Sequence, residues 1–178
     1  IISPCKYHLY NDCFLGIYDS AVEPGDGEFY AGLAKKISEA ALRANGYSYI
    51  FDTISRLCSV LELKAEIGIK TRRVYKSKDK NALVDLIKDY EQMIERAKEF
   101  YRAFRKQWYA ENKANGFEVQ DIRLGGLIMR MQDCHDRLVD YLDGKIDSIP
   151  ELEEEILPLI TRKDSGGAWA NMVTPNVL

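Results

Sequence analysis

The chain has 178 residues, 46% of them hydrophobic and 30% charged, a balance that suits one globular domain with a real core and no low-complexity segment. A net charge of −3 and a pI near 5.5 give no general attraction for nucleic acid or an anionic membrane. No apolar run approaches a membrane span and nothing resembles a signal peptide, while the missing initiator Met makes the sequence read as a piece of a longer polypeptide.

Residues 1–27 stand apart. Tyr7 to Tyr18, YHLYNDCFLGIY, is aromatic and β-branched enough to predict an extended, half-buried segment, and EPGDG then breaks the chain. Asp26 is a suitable N-cap for a first helix running to about Ala44, with Phe29, Leu33, Ile37 and Ala40 on its apolar face. A second long helix is expected from Ser48 to Lys76. Its stripe is Ile50, Ile54, Leu57, Cys58, Leu61, Ala65 and Gly68, the glycine marking a close crossing. After a polar turn, Ala82 to Lys113 carries the strongest pattern in the chain. Leu83, Ile87, Tyr90, Ile94, Ala97, Tyr101, Phe104 and Trp108 recur every three or four residues, one continuous helical stripe for about eight turns. Asn115-Gly116 ends it, and a fourth helix is expected from Val119 to Asp143, with Leu124, Leu127, Met131, Cys134, Leu138 and Tyr141 inward and a kink or tight packing at Gly125-Gly126. Pro150 opens a short acidic helix, RKDSGG at 162–167 is a link, and the final residues read as extended.

The expected architecture is therefore all-α: an antiparallel bundle of four long helices over 28–161, an extended segment over 1–27 and a linker with an extended tail over 162–178.

Chemistry is sparse. Phosphate-binding, dinucleotide-binding, nucleophile-elbow and zinc-protease motifs are all absent from the sequence. Cys5, His8 and Cys13 fit no standard zinc spacing, so neither metal nor cofactor is expected. Four scattered cysteines, with Cys58 and Cys134 on apolar faces, favour a reducing, cytoplasmic setting. The Lys/Arg cluster at 70–80 and the carboxylates at 151–155 read as solvated faces. Trp108 reads as core, whereas Trp169 lies outside the helices and could equally stack on a sugar. Arg123 could clamp a carboxylate or bind a neighbouring domain, although a salt bridge within or between helices is the plainer expectation.

KYHLYNDCFLGIYD, LELKAEIGIKTR, FEVQDIRLGGL and IPELEEEILP together resemble the C-terminal helical region of a subgroup of bacterial family 20 glycoside hydrolases, the β-N-acetylhexosaminidases. The resemblance implies an upstream catalytic (β/α)₈ barrel that removes terminal N-acetylhexosamine by a substrate-assisted mechanism. It places catalysis in an Asp-Glu pair, and no Asp-Glu dipeptide occurs in this chain, so no catalytic residue is expected here. It also implies a late Tyr-x-Asp that binds the sugar. Tyr10-Asn11-Asp12 has that spacing, and alternation along an extended segment would put Tyr10 and Asp12 on one face, as substrate-binding residues of the intact enzyme. The Trp-x-Glu that usually follows is absent.

The expected partners are thus the barrel of the same polypeptide, N-acetylhexosamine glycans through the intact enzyme, and a second copy if the domain supports dimerisation. The rival from another class is a free-standing helical module that binds a protein partner.

Overall fold

A computed structural model describes residues 4–156, with side chains from Lys6 onward. The 162–178 link and tail, Trp169 among them, lie outside the described residues. Those described form helices α1 (Pro4–Tyr10), α2 (Asp26–Ala41), α3 (Ser48–Lys64), α4 (Ile67–Ser77), α5 (Lys80–Glu111), α6 (Phe117–Leu142) and α7 (Pro150–Glu153), with no strand among them. The fold is all-α, as the periodicity predicts.

Each long helix packs chiefly on the next, in the order α2, α3, α5, α6. Paired contacts fix the directions. Along α2 and α3, Ser55 Oγ donates to the Ala34 carbonyl at 3.0 Å, while Gly27 lies against the Glu62 carbonyl. Along α3 and α5, Tyr49 meets Glu111, Arg56 meets Glu99 at 2.7 Å and Arg96 meets Glu62 at 2.7 Å. Along α5 and α6, Tyr101 bonds Asp121 and His135 faces Glu91. In each pair one number rises as the other falls, so all three neighbours run antiparallel.

The 32 residues of α5 span roughly 48 Å at 1.5 Å per residue. Asp79 starts the helix by accepting from the Asn81 and Ala82 amides at 2.9 and 3.2 Å. Its stripe is the spine of the core, with Leu83, Leu86, Ile87, Tyr90, Met93, Ile94 and Ala97 all buried. Toward its far end, Phe104 and Trp108 close around Phe117, whose ring centroid is 5.8 Å from one and 5.7 Å from the other. Trp108 is accordingly a packing residue, with its indole N–H donating to the Lys113 carbonyl at 3.0 Å.

Several expectations are corrected. The segment 1–27 is not extended where it is described. Residues 4–10 are helical, 19–21 form a 3₁₀ turn, and Tyr7, Leu9, Cys13, Phe14 and Tyr18 are buried in the bundle. Tertiary contacts to its carbonyls, described below, outweigh the β-propensity of its side chains. The second helix breaks at Ala65–Glu66, between α3 and α4. The break lets both sides of the joint hold the N-terminal segment: Glu66 accepts from the Gly25 amide at 2.7 Å, and Gly68 approaches Asp19 so closely that a Cβ would lie 3.0 Å from Oδ1. The close crossing expected at Gly68 is thus against residues 13–19 rather than another helix. Lastly, α6 continues through Gly125-Gly126, and Gly125 has open space around it. Phe29 and Ile54, placed on inner faces by periodicity, are 63% and 43% exposed.

Candidate functional site

The most densely built region is the anchorage of residues 8–19. Three cations from separate helices converge on it. Lys64 is 1% exposed, and its ammonium donates to the carbonyls of His8 and Asn11, satisfying the end of α1. One nitrogen of the Arg72 guanidinium donates to Phe14 O at 2.6 Å and Glu151 O at 3.0 Å, the other to Leu152 O at 3.0 Å and Glu154 O at 2.9 Å. One side chain therefore ties the beginning of the chain to α7. Arg130 completes the set with a two-pronged grip on Asp12 and a position 5.5 Å above the Phe14 ring.

Asp12 has both oxygens engaged. Oδ1 accepts from the Phe14 and Leu15 amides, each at 2.9 Å, and from Arg130 Nη2 at 3.1 Å, while Oδ2 accepts from Arg130 Nε at 2.7 Å. Burial pushes its carboxyl up, but Arg130 and the two amides outweigh burial and hold it below the usual carboxylate range. Asp19, whose Oδ1 accepts from Asn11 at 2.7 Å, is shifted the other way: burial dominates and raises it.

Arg130 belongs to a row. Arg123, Arg130 and Arg137 stand seven residues apart on α6, just under two turns each, so all three lie along one side of the helix. Arg137 pairs with Glu151 and lies 5.8 Å from the Phe14 ring. Arg123 differs. Its Nε is buried without a hydrogen-bond partner, and it forms no ion pair among the described residues. Its charge is felt by Tyr10, whose hydroxyl burial raises and Arg123 lowers in pKa. The expected salt bridge at Arg123 is therefore not formed within the described chain.

Tyr10 and Asp12 do not sit side by side on a strand. Tyr10 is the last residue of α1, half-buried near Arg123, whereas Asp12 lies in the following turn against Arg130. Of the other candidate ligands, the Cys5 side chain lies outside those described, and His8 and Cys13 have separate partners. His8 is buried, with Nδ1 3.0 Å from the Tyr30 hydroxyl and Nε2 3.4 Å from Asp26, and Cys13 lies beside Cys134 and Tyr90.

The charge clusters at 70–80 and 151–155 are also not simply solvated. Arg72 clasps backbone, Tyr75 donates to Glu153 at 2.8 Å, and Glu151 takes Arg137. Sequence reasoning missed Lys64, Arg72, Arg130 and Arg137. Two signals for them existed: Lys64 falls within the apolar stripe of α3, three residues past Leu61, and the arginines on α6 repeat at seven.

No described helix is long and apolar enough to cross a membrane. The chain matches, over residues 1–171, a family model described as the Glycoside Hydrolase 20C C-terminal domain. A comparison with curated proteins finds no match. The matched span takes in the anchored N-terminal segment, and a domain of this kind implies a catalytic domain in the same polypeptide. Because the match extends over nearly the whole sequence, the chain belongs to the family of glycoside hydrolase 20C C-terminal domains.

Proposed function

We propose that this domain braces the catalytic barrel of a β-N-acetylhexosaminidase that removes terminal N-acetylhexosamine with assistance from the substrate's own acetamide. The observation that carries the reading is the anchorage of residues 8–19 by Lys64, Arg72 and Arg130. Polypeptide arriving from an N-terminal catalytic domain enters through α1. A segment fixed at several points to the core makes that junction stiff, and a stiff junction can hold one domain against another. Family membership supports a glycosidase context. The buried thiols of Cys13 and Cys134, neighbours that form no disulfide, support a cytoplasmic setting.

The test compares the full-length enzyme with a version truncated before Ile1. A bracing domain raises the unfolding temperature of the barrel and slows its thermal inactivation; identical curves would discard the reading. The isolated chain should not turn over a chromogenic N-acetyl-β-glucosaminide, since it lacks the paired general acid and acetamide-orienting carboxylate. Light scattering on the same samples separates bracing from support of a dimer.

A substrate contact from Tyr10 and Asp12 competes with bracing at Asp12, whose oxygens are engaged within the domain. Full-length Tyr10→Phe and Asp12→Asn enzymes decide between them. A substrate role lowers kcat/KM measured well below the unfolding temperature, by roughly ten- to a hundred-fold for one lost hydrogen bond to a charged or charge-developing group. A bracing role lowers the unfolding temperature and leaves kcat/KM intact well below it.

A further inference from the structure

Helix α6 is apolar on two sides. Phe117, Leu124, Leu127, Met131 and Leu138 are buried in the core, but Val119, Ile122 and Met129 are 40%, 67% and 65% exposed. At 100° per residue these three lie within an arc of roughly 80° on the outer side, and the row of arginines runs along the edge of that arc. Single exposed apolar residues are ordinary. Two large ones and a valine on one face, beside a guanidinium with a buried and unsatisfied nitrogen, are not.

The arginine row indicates what is missing. Arg130 holds Asp12 and Asp133, and Arg137 holds Glu151. Arg123, at the same spacing, has no carboxylate within the described chain. Its neighbours are committed elsewhere: Asp121 accepts from Tyr101 at 2.7 Å and Glu118 from the Gly116 amide at 2.6 Å.

We propose that the outer face of α6, comprising Val119, Ile122 and Met129, is where the catalytic domain of the same polypeptide sits, and that a carboxylate of that domain closes on Arg123. The inference rests on the bracing reading and names its contact surface. The tether favours this occupant over a second copy. Arg130 of the same row holds Asp12, two residues past the end of α1, and the start of α1 at Pro4 is roughly 9 Å of helix from Tyr10, so a domain joined there is held near this side of α6 at high effective concentration.

The test uses the full-length enzyme with benzoylphenylalanine in place of Met129, or of Leu42, an 86% exposed residue just past the end of α2, as a second position. On irradiation, position 129 should link to a catalytic-domain peptide of the same chain, at a yield independent of protein concentration. A link between two chains would make the face a copy-to-copy interface and overturn the proposal. A link from position 42 to the catalytic domain with none from 129 would reject this face while preserving bracing. No link from either would count against both. For Arg123, alkylation at Ile122→Cys is followed by peptide mapping in the full-length enzyme. Adding Arg123→Met should speed it roughly ten-fold, the change expected for one lost charge-assisted hydrogen bond, and Arg123→Lys should speed it less. Equal rates in all three would remove the carboxylate from the proposal.

Discussion

Arg130 reaches across 118 positions of sequence to Asp12, with Nε 2.7 Å from Oδ2 and Nη2 3.1 Å from Oδ1. Both partners are largely shielded from water, with side-chain exposures of 29% and 12%, so the pair is screened less than a surface ion pair. Asp12→Asn should cost about 2 kcal/mol, lowering the unfolding temperature by roughly 4–8 °C in calorimetry. Arg130→Met should cost a similar amount, and the double variant should fall well short of the sum. Because the folded carboxyl is held below its ordinary value, its contribution is complete above about pH 4 and is lost as the pH falls through the folded value. Asp12→Asn should therefore flatten the acid limb of the stability profile.

Arg72 should be the more damaging position. Its guanidinium serves four carbonyls from the two ends of the described chain. Arg72→Met leaves those acceptors to find water and should cost about 3 kcal/mol or more. Hydrogen exchange should then accelerate in residues 8–19 and 150–154 together while the middle of α5 stays protected. Exchange that quickened in only one of those segments would show that Arg72 does not couple them.

Two glycines in α2 should respond with opposite signs. A Cβ on Gly27 would lie 2.6 Å from the Glu62 carbonyl, a backbone atom that cannot swing aside, so Gly27→Ala should push α2 from α3 and cost roughly 1–3 kcal/mol. Gly32 has nothing within 4 Å, and Gly32→Ala should stabilise by about 0.5–1 kcal/mol through helix propensity. Urea midpoints of the two variants check both signs at once.

His8 should make stability sensitive to mild acid. Burial lowers its pKa more than Asp26 raises it, so the unfolded chain takes up a proton at a pH where the folded chain does not. Its stabilising effect is complete above the unfolded value of about 6.5 and declines as the pH drops toward the folded value. Urea midpoints at pH 7.5 and 5.5 should differ in the native sequence and differ less in His8→Gln. An equal loss in both would assign the dependence to other groups.

What the sequence determined is what repetition along a helix can encode. The α5 stripe, with Leu83, Ile87, Tyr90, Ile94 and Ala97 buried as its spacing requires, needs only the 3.6-residue period and a core to face. The all-α class, the end of α5 before Gly116 and the core placement of Leu127, Met131 and Leu138 follow from the same local rules. Tertiary structure decided the fate of residues 4–19. Their aromatic, β-branched composition favours a strand, yet a short helix and turns prevail because Lys64 and Arg72 supply partners for the carbonyls of His8, Asn11 and Phe14, and Arg130 for the Asp12 carboxylate. Those cations lie 50 to 120 positions away, Lys64 within an apolar stripe and the two arginines in stretches where a charge ordinarily means solvent. Local pattern carries no information about which distant backbone a charge will meet, and that pairing holds the N-terminal segment within the core.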